Sequence, residues 1–200
     1  MDYPRPASLN DERPVDIEEK ERIIMFKAPP HQPSHQMLYD LAVEFCPDEY
    51  LEIGCFMGDS LKAVLAGCRP QKVILCDIWA AGYAGSGMGN HNHLLPIVAD
   101  IPEVIWLDGD SKLLIPTLPN ASVGLSYVDG DHTDEGARAD LENTWLKLKI
   151  GGFLVFDDII HPQCMSLKKV ALEFGQSVGA EIYRWDDTTG LGACVFRKNR

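Results

Sequence analysis

The sequence predicts an α/β fold, with a seven-stranded, mostly parallel sheet that ends in a C-terminal antiparallel hairpin. Three observations carry this. From Glu49 onward short apolar runs alternate with helix-period segments, the pattern of strands joined by crossover helices. The first run, Tyr50-Leu51-Glu52-Ile53, passes into Gly54-Cys55-Phe56-Met57-Gly58-Asp59-Ser60, a glycine-punctuated turn that opens a helix. Finally, residues 181–185 and 192–197 are strand-like and separated by Asp186-Asp187-Thr188-Thr189-Gly190. A link this short cannot make a crossover, so the pair must be antiparallel.

Residues 1–33 read as an N-terminal arm and residues 34–200 as one domain. The arm carries prolines at 4, 6, 14, 29 and 30 among many charges, with a short helix expected around 16–26. Ser34 reads as the cap of a helix whose Met37, Leu38, Leu41, Ala42 and Phe45 share a face, and Pro47 ends it. Strands are expected near 50–54, 72–77, 104–108, 123–129 and 152–157. Helices fall near 60–68, 111–118, 133–148 and 163–178, with Asp131 or Thr133 able to cap the third.

Composition narrows the class. Two hundred residues at 46% hydrophobic content suit a single core. A formal charge of 18 − 30 = −12 argues against nucleic acid, whose phosphates require a basic face. No apolar run approaches the roughly 18 residues of a membrane span, and the N-terminus lacks the apolar core of a signal peptide. The cysteines at 46, 55, 68, 76, 164 and 194 include no C-x-x-C pair. They read as core thiols of a reducing compartment, so a cytoplasmic location is expected.

The glycine turn carries the first chemistry. Its backbone can approach a ligand closely, and the following helix aims amides at it. Asp77, at the end of the second strand, is an acid placed to accept hydrogen bonds from both hydroxyls of a ribose. A dinucleotide fingerprint needs G-x-G-x-x-G, whereas this chain has Glu52-x-Gly54-x-x-x-Gly58. A carboxylate repels a pyrophosphate but attracts the ammonium of a methionine moiety. The unit therefore reads as a pocket for an adenosine-like cofactor bearing an amino group, and its pattern resembles motif I of class I S-adenosylmethionine (SAM) dependent methyltransferases.

Two acidic segments carry the second. Val128-Asp129-Gly130-Asp131-His132 and Phe156-Asp157-Asp158 end the fourth and fifth strands. Adjacent parallel strands bring these ends together over the crevice where open α/β sheets bind ligands. Asp129, Asp157 and Asp158 would repel unless neutralised, and a hard divalent cation, magnesium above zinc, is the usual answer. His132 is placed to take a proton from a substrate hydroxyl at neutral pH.

Residues 127–132, 135–141 and 151–158 (Tyr-Val-Asp-Gly-Asp-His, Glu-Gly-Ala-Arg-Ala-Asp-Leu and Gly-Gly-Phe-Leu-Val-Phe-Asp-Asp) closely resemble methyltransferase type 24, a bacterial class I family. It includes sugar O-methyltransferases of natural-product pathways and proteins related to cephalosporin hydroxylase. Its metal-dependent members look like distant relatives of catechol O-methyltransferase. The resemblance covers residues 48 to about 160. It implies the Rossmann-like class I methyltransferase fold, with Glu52, Gly54 and Gly58 on the methionine side of SAM and Asp77 on the ribose. Gly109, Asp110 and Ser111 would contact the adenine, and Asp129, Asp157 and Asp158 would form a metal triad. His132 stands where catechol-type enzymes place a lysine base.

The expected activity is a SAM-dependent, magnesium-dependent O-methyltransferase acting on a small hydroxylated molecule of sugar or natural-product type, with His132 and Asp129 catalytic. Two alternatives are a metal-independent N- or O-methyltransferase and a non-catalytic SAM-binding module. The glycine-rich loop 79–93 reads as a lid, and an arm such as 1–33 can pack on a second copy in a homo-oligomer.

Overall fold

In a computed structural model, residues 32–80 and 89–200 are described. The helix expected around 16–26 and the middle of the loop 79–93 lie outside them. The strands are apolar on both faces because helices cover both. In β1 (Glu49–Ile53) Tyr50 packs on one side with Leu38, Leu61 and Val64. Leu51 and Ile53 pack on the other with Leu141, Val170 and Phe174. β2 (Lys72–Asp77) repeats this alternation, with Val73 and Leu75 on the first side and Ile74 and Cys76 on the second.

The remaining strands are β3 (Glu103–Asp108), β4 (Val123–Val128), β5 (Leu148–Asp157), β6 (Glu181–Asp186) and β7 (Ala193–Arg197). They form one seven-stranded sheet in the order β3-β2-β1-β4-β5-β7-β6. Chain order reverses between β1 and β4, so the crevice for a ligand opens above their carboxyl ends. β7 runs antiparallel to both β5 and β6, as the short 186–190 link requires.

The helices are α1 (Pro33–Phe45), α2 (Asp59–Gly67), α3 (Ser111–Leu114), α4 (Asp134–Lys147) and α5 (Leu167–Val178). Three differ from the sequence expectation. Ser34 is not a cap: α1 begins at Pro33, and Ser34 lies fully buried in its first turn. The helix expected over 111–118 is one α-turn followed by a 3-10 turn, Ile115–Thr117. Pro116 lacks the amide that would continue the α ladder. The last helix starts at Leu167, leaving 159–166 as a loop over the carboxyl end of β5. Thr133 caps α4, its hydroxyl accepting from Gly136 N at 3.0 Å.

Candidate active site

The glycine turn is held from three sides. Gly54 N donates to Cys76 O at 2.9 Å, and Asp129 N donates to Ile53 O at 2.9 Å. At φ 83°, a Cβ on Gly54 would stand 1.9 Å from Asp129 O, so only glycine lets the β1 and β4 ends close together. The Asp77 carboxylate gathers the turn. Its Oδ2 accepts from Cys55 N at 2.8 Å and Phe56 N at 3.2 Å, and its Oδ1 accepts from Trp79 N at 2.9 Å.

Two residues of this turn sit differently from the sequence expectation. Glu52 faces the ligand in that reading; in the fold it is fully buried beneath the turn. It shares a strand face with Tyr50, the face that α2 covers. Its oxygens accept from Tyr50 Oη and Ser60 Oγ, each at 2.6 Å, and burial pushes its carboxyl up to about 8. Gly58 is likewise expected to face the ligand, but the space beside it is filled by Leu94 and Ile97, with Leu94 Cδ2 2.6 Å from where a Cβ would be. Asp59 is exposed and pairs with Lys62 at 2.7 Å, as its place in the first turn of α2 suggests.

Parallel pairing sets Asp108 directly beside Asp77. Asp108 Oδ1 accepts from Trp79 Nε1 at 2.9 Å and lies 3.0 Å from His91 Nδ1. The His91 ring stacks on Trp106, centroids 4.0 Å apart, and His93 Nε2 contacts Phe56 O. Sequence reasoning singled out Gly109, Asp110 and Ser111 on this edge and missed Asp108 and Trp106. The available signal was the strand alignment, since Asp108 ends β3 as Asp77 ends β2. Asp110 caps α3 by accepting from Lys112 N at 2.9 Å, Ser111 Oγ donates to Asp140 at 2.5 Å, and Gly109 N donates to Asp77 O at 2.9 Å.

The acids meet across β4 and β5, although not as the expected trio. Asp129, His132 and Asp158 bring ligand atoms within 4.8 Å of one another. His132 Nε2 lies 3.0 Å from Asp129 Oδ1, and its Nδ1 lies 3.7 Å from Asp158 Oδ2. Asp157 is turned inward. Its Oδ2 accepts from Tyr127 Oη and, at 2.9 Å, from Ser34 Oγ, while its Oδ1 accepts from Asp158 N at 2.9 Å. Asp158, only 7% exposed, accepts no hydrogen bond on its carboxylate from the described residues, and its backbone is left-handed at φ 60°.

Burial dominates the electrostatics here. It pushes Asp129 up to about 7 and raises Asp157 and Asp158, whose charges oppose each other and Asp129. His132 is raised chiefly by its hydrogen bond to Asp129. Carboxylates this costly to ionise, with one left unpaired and aimed at a histidine, fit a divalent cation. A hollow of about 240 Å³ lined by Phe45, Pro47, Ile150 and Phe153 lies at the amino end of β4 and β5 and contains none of these residues.

Tyr127 and Ser34 are the functional neighbours that sequence reasoning missed. Tyr127 was legible by alternation, two positions before Asp129 on one strand face. Ser34 was not, because it lies 123 residues from Asp157. Tyr127→Phe or Ser34→Ala each strips a donor from a buried carboxylate and should cost about 1–3 kcal/mol. Asp157 is already raised, so its protonated form favours folding at low pH and that benefit is lost as pH rises. The deficit should therefore be larger at pH 8 than at pH 5. Melting curves with equal deficits at both would show that the two hydroxyls do not bear on Asp157.

The comparisons agree with this fold. The type 24 family profile, described as a methyltransferase domain, matches residues 51–159, more than half of the chain. A search of curated protein sequences returned no significant match. Among solved structures, the SAH-bound (S-adenosylhomocysteine-bound) methyltransferase PaMTH1 of Podospora anserina superposes with a TM-score of 0.63 at 15% identity, over 93% of this chain and 89% of that one. The O-methyltransferase NovP gives 0.60 at 19% identity, over 84% and 78%. The 1,6-didemethyltoxoflavin-N1-methyltransferase of Burkholderia thailandensis, with its substrate and SAH bound, gives 0.58 at 13% identity, over 90% and 83%. Among the described residues no helix is long and apolar enough to cross a membrane. The glycine turn, the acids at the strand ends and the antiparallel seventh strand thus belong together: the chain is a member of the type 24 family of class I SAM-dependent methyltransferases.

Proposed function

We propose that this methyltransferase transfers the methyl group of SAM to a hydroxyl of a small molecule of sugar or natural-product type, with a magnesium ion as cofactor. The observation that carries this reading is the convergence of Asp129, His132 and Asp158 beside the glycine turn, at the strand-order reversal. Gly54, Gly58 and Asp77 shape the methionine and ribose side of the cofactor site, with Glu52 buried as the hydrogen-bonded floor beneath the turn. Gly109, Asp110 and Ser111 border the adenine. Asp129 and Asp158 hold the metal, and Asp157 adds its charge behind them. The metal, when bound, lowers the pKa of the acceptor hydroxyl and orients it.

The protein's own part is proton transfer and alignment. His132 Nε2–H donates to Asp129, which leaves Nδ1 as the basic atom facing Asp158. Nδ1 would take the proton of the acceptor hydroxyl, and SAM, when bound, would supply the methyl group to its oxygen. A C–O bond would form as the C–S bond breaks, leaving a methyl ether, SAH and an imidazolium. The six free cysteines suit a reducing cytoplasm.

One observation favours a second reading. An imidazolium at His132, flanked by Asp129 and Asp158, could itself neutralise the acids in a metal-independent methyltransferase. Thermal shift separates the two. Magnesium at 100 times its Kd should stabilise a metal protein by about 2.7 kcal/mol, roughly 5–10 °C at this size. Asp158→Asn should melt a few degrees higher than wild type without metal at pH 8, because it removes a buried charge, and should lose the magnesium response and the activity. A wild type indifferent to magnesium, active in EDTA and destabilised by Asp158→Asn would establish the metal-independent reading instead.

A further inference from the structure

One buried acid has no part in the reaction as described. Asp140 projects from α4 and is fully buried. Its Oδ1 accepts from Ser111 Oγ at 2.5 Å, the first residue of α3 where the loop after β3 ends, and its Oδ2 lies 3.5 Å from Asp131 N, in the loop after β4. The Gly130 backbone is packed against it, so that a Cβ there would stand 2.7 Å from Asp140 Oδ2. The first loop borders the cofactor and the second carries Asp129 and His132. A single carboxylate therefore braces both halves of the site from below. A second bridge between the same loops, Lys112 Nζ to Asp131 Oδ2 at 3.3 Å, is exposed and therefore weak.

We propose that Asp140 is a positioning residue that holds the cofactor loop and the acid–base loop in register, so that its loss weakens cofactor and metal sites together although it touches neither ligand. The inference rests on the reading above for what the two loops bind. Its logic is mechanical: a buried carboxylate with two charge-assisted partners fixes both more firmly than surface contacts do. An asparagine can keep both contacts, its oxygen accepting from Asp131 N and its amide donating to Ser111 Oγ. Alanine can keep neither.

The test compares Asp140→Ala, Asp140→Asn, Ser111→Ala, their double and Lys112→Met in the full chain. SAH affinity is measured by calorimetry, and the magnesium midpoint of the thermal shift is measured with magnesium alone. Asp140→Ala should weaken SAH about tenfold and raise the magnesium midpoint about tenfold, with kcat falling 10- to 100-fold. Asp140→Asn should recover most of each loss, and Lys112→Met should change none. Ser111→Ala added to Asp140→Ala should leave the magnesium midpoint where Asp140→Ala alone puts it, because the two act on the metal side through one contact. If Asp140→Ala only lowers Tm, leaving SAH affinity and the magnesium midpoint at wild-type values below the transition, Asp140 is structural and the proposal fails. Additive shifts of the magnesium midpoint overturn it as well. Should wild type bind SAH yet show no magnesium response, the metal reading fails, and the register proposal then stands or falls on the SAH affinities of Asp140→Ala and its asparagine rescue.

Discussion

Gly54→Ala is expected to abolish the folded protein. The added Cβ would meet the Asp129 carbonyl at 1.9 Å, and that oxygen is backbone at the end of a central strand. No rotamer relieves the contact, so the carboxyl ends of β1 and β4 must part in the middle of the sheet. A left-handed φ of 83° adds strain of about 1–2 kcal/mol for a residue with a side chain. Together these should exceed about 4 kcal/mol, a large fraction of the stability of an ordinary domain. Gly58→Ala supplies the contrast: its clash is with the tip of Leu94, which can move, so a loss of only about 1–2 kcal/mol is expected. Denaturant melts showing equal losses for the two glycines would mean that the contact with Asp129 is not what closes the turn.

The second large effect concerns Glu52. Its carboxyl is raised from 4.5 to about 8 by burial, so the protonated form is the one the fold prefers. That preference stabilises fully below the unfolded value and is lost as pH rises through about 8. Across the whole interval the change approaches roughly 4–5 kcal/mol at 1.36 kcal/mol per unit. Asp129, raised to about 7, gives a similar slope at lower pH and leaves only a tail of a few tenths of a kcal/mol between pH 7 and pH 8. Metal-free wild type should therefore keep losing stability between pH 7 and pH 8, by about 1 kcal/mol. Glu52→Gln keeps its two hydroxyl partners and cannot ionise, so over that unit it should lose only the few tenths of a kcal/mol that come from Asp129. A variant that loses stability in parallel with wild type between pH 7 and pH 8 would show that Glu52 is not protonated in the native state.

Much of this protein is local, and the local part was legible in its sequence. Strand periodicity placed β2 at 72–77, and the link of 186–190 forced β7 antiparallel, because a few residues cannot span a crossover. Glycine spacing marked the turn after β1, and the acids after two adjacent strands marked the end of the sheet where Asp129, His132 and Asp158 meet. Each follows from backbone geometry within a dozen residues, where side-chain type and spacing are sufficient.

What tertiary structure decided is which neighbour each polar atom meets. Glu52 and Asp157 look alike in sequence, each an acid at a strand end, and both were expected to face a ligand. Helix α2 covers the face of Glu52 and supplies Ser60, while α1 brings Ser34 across 123 residues to Asp157. Asp158, one residue further on, turns to the other side through its left-handed backbone and is left open toward His132. Only the packing of helices on the sheet determines which carboxylate is neutralised inside and which is left to bind. That packing depends on contacts far apart in the chain, which no local pattern encodes.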